Sequence, residues 1–141
     1  MTTLKHFEDH EFRKKDKMDT EFLAFLDEVR GEAGLGFYLT SDARDAETNK
    51  QAGGVSTSLH VYDNTKKASA VDFVTKNSRN RNTQGYYEDL WKITAAVIKV
   101  ANHHKRRVQL ELVKGKEDWH IHLGLYPSTW LGTSKIILAK D

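Results

Sequence analysis

The sequence predicts an α+β fold, with a small antiparallel sheet packed against two main helices in a single domain over residues 1–141. Three observations carry this expectation. Apolar residues recur at the three-and-four spacing of a buried helix face in two separate stretches. Strict alternation of apolar and polar residues, the mark of half-buried strands, is concentrated in the last third of the chain. No internal repeat, low-complexity tract or linker interrupts the 141 residues, a length that suits one domain with a real core.

The first helix is expected after Met18, because Phe22, Phe25, Leu26, Val29 and Ala33 fall on one face. Asp19 stands where an N-cap belongs and Gly34 where a helix stops, and Met18 with Leu23 has the spacing of a hydrophobic staple. Phe37-Tyr38-Leu39 reads as a short strand, and Asp45 to Ala52 as a short helix ending at Gly53-Gly54. A loop then runs to Leu59, and Ala70 to Val74 reads as a second strand. The polar stretch from Lys76 to Thr83 reads as a surface loop.

A long helix is expected from about Tyr86 to Asn102, where Leu90, Ile93, Val97 and Ala101 keep helical spacing. Val108, Leu110 and Leu112 then alternate with Gln109 and Glu111 as a half-buried strand does. Lys114-Gly115-Lys116 makes a turn into an alternating strand from Trp119 to Leu125, and Ile136-Ile137-Leu138 supplies a last short one.

Composition narrows the chemistry. Hydrophobic residues at 38% and charged residues at 30% describe a globular chain and exclude a disordered one. A formal net charge of +2 falls short of a nucleic-acid footprint, so no nucleic-acid partner is expected. Arg13-Lys14-Lys15 and Lys105-Arg106-Arg107 read as solvated element ends. No run of about 18 apolar residues appears, so no membrane insertion is expected, and residues 1–12 lack the apolar core of a signal peptide. The expected product is a soluble cytoplasmic monomer. With no cysteine present, a transition metal has only His, Asp and Glu to hold it.

Of the seven histidines, His6, His10, His103 and His104 read as structural or surface residues, the last two at a helix C-terminus where they face exposed carbonyls. The other three fall in a different pattern. His60 follows the Gly53 to Ser58 loop, and Asp72 is an acid set between Val71 and Phe73, where it needs a cation or hydrogen-bond partner to offset desolvation. Glu117-Asp118-Trp119-His120-Ile121-His122 puts two acids in a turn and two histidines on one face of a strand. His60, Asp72 and His120 would give the two histidines and one carboxylate of a catalytic zinc site, which leaves its fourth position to water. Glu117, three residues before His120, would act as general base. His122 shares the face of His120 and Asp118 neighbours Glu117, so both alternatives stand at this stage.

Thr40-Ser41-Asp42-Ala43-Arg44, Asn49, Gly53-Gly54, Ser58-Leu59-His60, Ala70-Val71-Asp72 and Glu117-Asp118-Trp119-His120 follow one another in an order that resembles a known motif series. The series is that of the zinc D-alanyl-D-alanine carboxypeptidase and phage endolysin peptidase family, the VanY-like, LAS-type metallopeptidases. His6-Phe7, Glu11-Phe12 and Leu26 to Arg30 are similar to its single-domain members, and the last dozen residues are unmatched. The resemblance implies a Zn2+ cofactor on His60, Asp72 and His120, Glu117 as catalytic base, and Arg44 as the arginine that holds substrate and stabilises the oxyanion. It also implies Ser58 as a hydrogen-bond partner of the site or the substrate. Asp72 stands twelve residues after His60, where the family pattern has seven, so the polar Asp63 to Lys67 run is expected to loop out. Asp42-Ala43 replaces Gly-Tyr before Arg44.

The function implied is hydrolysis of peptide bonds in bacterial peptidoglycan, with the stem peptide as substrate, by a phage-type endolysin that waits in the host cytoplasm and acts on the wall after release. A cytoplasmic D-Ala-D-Ala dipeptidase or carboxypeptidase is the enzymatic alternative, and a non-catalytic virion or wall-binding module the alternative of another class.

Overall fold

A computed structural model describes residues 3–54, 58–78, 83–114 and 119–140. In chain order, two 3-10 turns, Asp9–Glu11 and Lys15–Lys17, lead into α1 (Thr20–Ala33), β1 (Tyr38–Ser41), α2 (Ala46–Gln51) and β2 (Ala70–Val74). The chain continues through α3 (Gln84–His104), β3 (Val108–Lys114), β4 (Trp119–Leu125) and β5 (Lys135–Lys140). This is the α+β domain that the sequence predicts, with a five-stranded sheet in the order β1-β2-β4-β3-β5.

Local chemistry sets the helix ends. The Asp19 side chain accepts from the Phe22 backbone N–H, and Gly34 closes α1 in the left-handed region at φ 68°. Met18 and Leu23, the expected staple pair, are both buried. Asp45 caps α2 by accepting from Thr48 N, and Thr83 caps α3 by accepting from Tyr86 N. That cap starts α3 two residues ahead of the first apolar position of its periodic stretch.

Alternation divides the sheet into two faces. Val71 and Phe73 of β2, Leu110 and Leu112 of β3, and Ile121, Leu123 and Leu125 of β4 join one apolar core with Phe22, Leu26 and Val29 of α1 and Ile93, Val97 and Val100 of α3. Each such fully buried side chain contributes about 1.5–3 kcal/mol relative to exposure. Phe37 sits just before β1 and stacks on Phe73 with ring centroids 4.2 Å apart, so its place is in the core and the strand runs on to Ser41. The intervening positions Asp72, Gln109, Glu111, His120 and His122 belong to the opposite face. β5 departs from the expected antiparallel pattern: it pairs parallel to β3, with Gln109 opposite Lys135 and Glu111 opposite Ile137. The segment from Tyr126 to Ser134 carries the chain from the end of β4 past the start of β3 to its far side, so β5 runs antiparallel to β4 and therefore parallel to β3.

The segment before α1 is strapped on by two buried acids. Asp27 accepts from the Lys5 and His6 backbone N–H groups, and Asp42 accepts from those of Arg13 and Lys14. Lys17 and Asp19 exchange backbone hydrogen bonds with Ala68.

Candidate metal centre

The polar face of the sheet holds the site. Asp72 lies near the middle of β2, directly opposite His122 of β4 in the antiparallel register. Directly paired residues have Cβ atoms about 4.5–5.5 Å apart, so this register brings the His122 ring to the carboxylate. His122 Nδ1 is 3.1 Å from Asp72 Oδ1. His60 arrives from outside the sheet, in a turn held on both sides. Its own N–H donates to Ser58 Oγ at 3.2 Å, and its carbonyl accepts from Arg44 N at 2.7 Å. Gly124 makes room for that turn, since a Cβ there would sit 3.0 Å from Leu59 Cδ1.

His60 Nε2 reaches Asp72 Oδ1 at 3.1 Å and His122 Nδ1 at 3.2 Å, closing a triangle of three donor atoms. His60, Asp72 and His122 are all buried. Ligands of a tetrahedral ion bonded at 2.0–2.1 Å stand about 3.3 Å apart, close to the spacing of this triangle. The chemistry of the donors agrees. His60 Nδ1 lies 2.8 Å from the carbonyl oxygen of Asp42, a partner that only accepts, so Nδ1 carries the hydrogen and donates it. The neutral ring then presents a lone pair from Nε2 to the carboxylate oxygen, and two lone pairs at that distance call for a cation between them. The residues fit a zinc ion.

The two oxygens of Asp72 have separate tasks. Oδ1 serves the triangle, and Oδ2 accepts from Arg44 Nη2 at 3.0 Å. Burial alone would push the Asp72 carboxyl up; in the metal-free site with the rings protonated, hydrogen bonds from His122 and His60 and the charge on those rings outweigh it and hold the carboxyl well below the usual range. Asp72 is therefore an anion at any physiological pH.

The expected site residues fall into place unevenly. His60 and Asp72 come together. His120, expected as third ligand, is outside the triangle: its Nε2 is 3.8 Å from Asp72 Oδ2 and its side chain is 27% exposed, whereas His122 is the residue that the register seats against Asp72. Arg44, expected to hold substrate, is bonded to Asp72 Oδ2 and to Ser41 Oγ, the latter through Nε at 2.9 Å. Ser58 holds the His60 backbone. Glu117 and its neighbour Asp118 lie outside the described residues.

Three contributors were not singled out by sequence reasoning. Asp42 orients His60 through its carbonyl, Ser41 orients Arg44, and Gln109 Oε1 stands 2.7 Å from His122 Nε2. Gln109 left a signal as a polar residue on the alternating strand that runs beside the His120 and His122 strand, and Ser41 and Asp42 stood in the motif run before Arg44 with no role of their own. The widened interval between His60 and Asp72 is accommodated as expected. Asp63 Oδ1 accepts from Thr65 N and Lys66 N, closing an exposed turn at residues 63–66, and Ser69 N rejoins the site by donating to Leu59 O.

Comparison with known proteins bears on the same residues. The peptidase M15 family model matches residues 5–88, a stretch that carries Arg44, Ser58, His60 and Asp72 but ends before β4. No curated protein and no solved structure matches the chain. His122 therefore joins the site on geometry alone, while His60 and Asp72 stand on geometry and family together. With more than half of its length inside that match, the chain belongs to the peptidase M15 family, whose members are zinc-dependent metallopeptidases.

Proposed function

We propose that this protein is a zinc peptidase that hydrolyses peptide bonds in the stem peptides of bacterial peptidoglycan, in the manner of an endolysin. The single observation that carries the enzymatic part is the triangle of His60 Nε2, Asp72 Oδ1 and His122 Nδ1, with 3.1–3.2 Å between its atoms, inside a peptidase M15 chain. The motif order running from Ser41 and Arg44 through His60 and Asp72 supports the wall substrate.

His60, Asp72 and His122 would hold the ion. Zinc bound there would supply Lewis-acid polarisation of the scissile carbonyl and acidify the attacking water. The remaining work belongs to the protein. The anionic Asp72 keeps Arg44 beside the centre, and the guanidinium has five N–H donors, of which the bonds to Ser41 and Asp72 use two. The others would be available to the developing negative charge of the tetrahedral state, where a preorganised cation stabilises the transition state more than the ground state.

His120, whose Nε2 lies 3.8 Å from Asp72 Oδ2 and whose side chain is 27% exposed, takes the role of proton carrier, accepting from the water and returning the proton to the leaving amine. With His122 as third ligand, Glu117 falls five residues ahead of it and the three-residue spacing that made Glu117 a base lands on Trp119, so the base role goes to His120 on its place beside Asp72.

The test is incubation of zinc-loaded protein with purified peptidoglycan sacculi and, separately, with free D-Ala-D-Ala, followed by mass spectrometry of the products. New amine termini from sacculi, abolished by a chelator, are expected. Turnover of the dipeptide alone would replace the wall substrate with a dipeptidase activity, and no turnover of either would remove the peptidase reading.

A further inference from the structure

We infer that Gln109 and Tyr126 are positioning residues for the metal centre: together they decide which nitrogen of His122 is free to bind an ion. The inference rests on the assignment of His60, Asp72 and His122 as the ligand set. Its basis is a linear series of contacts leading away from the centre. His122 Nδ1 faces Asp72 and His60, its Nε2 lies 2.7 Å from Gln109 Oε1, and Gln109 Nε2 donates to Tyr126 Oη at 3.0 Å.

A neutral imidazole has one N–H and one lone pair, so His122 offers Nδ1 to a metal only while Nε2 carries the hydrogen. At 2.7 Å that hydrogen needs an acceptor. A glutamine amide presents an acceptor at one end and donors at the other, and the two ends are nearly the same shape. With Oε1 toward the ring, Nε2–H is satisfied and Nδ1 is a ligand. With the amide reversed, its NH2 would donate to Nε2, the hydrogen would sit on Nδ1, and the lone pair that the ion needs would be gone.

The second contact anchors the end of the amide that faces away from the ring. A phenol accepts or donates, so the Tyr126 hydroxyl receives the Gln109 NH2 in the first state and would have to donate to its oxygen in the second. The tyrosine itself is fixed. Its N–H donates to Arg107 O at 3.0 Å, its carbonyl accepts from Arg106 Nη2 at 2.9 Å, and its ring stacks on Trp130 with centroids 4.2 Å apart and planes 3° from parallel. Gly124, between His122 and Tyr126 on the same strand face, leaves the space that the Gln109 side chain crosses, since a Cβ there would meet Oε1 at 3.1 Å.

Three variants test this by zinc affinity and by NMR of the His122 ring in the zinc-loaded protein. Wild type is expected to show a hydrogen on Nε2 that exchanges slowly with solvent. Gln109→Met, close in shape but without an acceptor, is expected to raise the zinc Kd by about 10–100-fold and to speed that exchange. Gln109→Glu, which keeps an acceptor toward Nε2, is expected to restore both, and Tyr126→Phe to weaken zinc about fivefold, the worth of one ordinary hydrogen bond. A folded Gln109→Met protein with wild-type zinc affinity and an unchanged Nε2–H would overturn the inference. Should Gln109→Met not fold, an unchanged Kd in Tyr126→Phe overturns it instead. If His122→Ala abolishes zinc binding while the Gln109 and Tyr126 variants change nothing, this inference alone fails; if wild type binds no zinc, the ligand assignment fails with it.

Discussion

His120 and His122 show how much a single residue's placement decides. Both lie on the polar face of β4, yet only His122 stands opposite Asp72. His122→Ala is therefore expected to abolish stoichiometric zinc binding. His120→Ala is expected to keep the metal and lose hydrolysis by about 10²–10⁴-fold, the usual worth of a positioned proton carrier. Metal content by atomic absorption beside peptide turnover separates the two, and loss of zinc in His120→Ala would return the ligand role to that residue. Glu117→Gln, by the same assay, is expected to retain most turnover.

Asp72 also carries a pH dependence. Its folded carboxyl is held below the ordinary 3.8, so its contribution to stability is full above that value and is lost as pH falls below it. Urea unfolding with a chelator present should find Asp72→Asn less stable than wild type at about pH 5 and the difference shrinking by about pH 3. A difference that does not narrow would contradict a depressed Asp72.

At the scale of elements, α2 and its exit place Arg44 and His60 on either side of the same loop. Gly53 turns through φ 78° after the helix, and Gly54 passes so close to buried Asn49 that a Cβ would lie 2.2 Å from Asn49 Oδ1. Gly54→Ala forces Asn49 or the backbone to move, an overpacking cost of about 1–3 kcal/mol. Thermal unfolding measures it, and a Tm within a degree of wild type would mean that the loop yields freely. The helices themselves were legible because caps and periodicity are local: Asp19, Gly34 and the apolar face of α1 stand where the sequence predicts them. β5 was legible as a strand but not as a parallel partner of β3, because pairing direction depends on the route of the chain from Tyr126 to Ser134 and not on the strand's own residues.

Across the whole molecule, the N-terminal segment and the metal centre share one residue. The Asp42 carboxylate accepts from Arg13 N and Lys14 N, while its carbonyl accepts from His60 Nδ1. Asp42→Ala leaves two backbone donors of the strap without their acceptor, a loss of about 1–3 kcal/mol. Limited proteolysis should then cut near residues 13 and 14 faster than in wild type, while zinc affinity should change little, because the backbone carbonyl that accepts from His60 Nδ1 stays in place. Unchanged cleavage would show that the strap is held without the Asp42 carboxylate.

The sequence by itself determined the fold class, the two long helices, the alternating strands, and the acid and histidine that matter most. Asp72 between two apolar residues and His60 after a glycine loop are local anomalies, and buried polar groups announce themselves by their neighbours. Tertiary structure decided the rest: which of two histidines on one strand face meets Asp72, where Arg44 spends its hydrogen bonds, and that Asp42 and Gln109 stand behind the ligands. Those facts depend on strand register and on chain segments far apart in sequence, and a shift of register by two residues would preserve every alternation while exchanging His120 for His122.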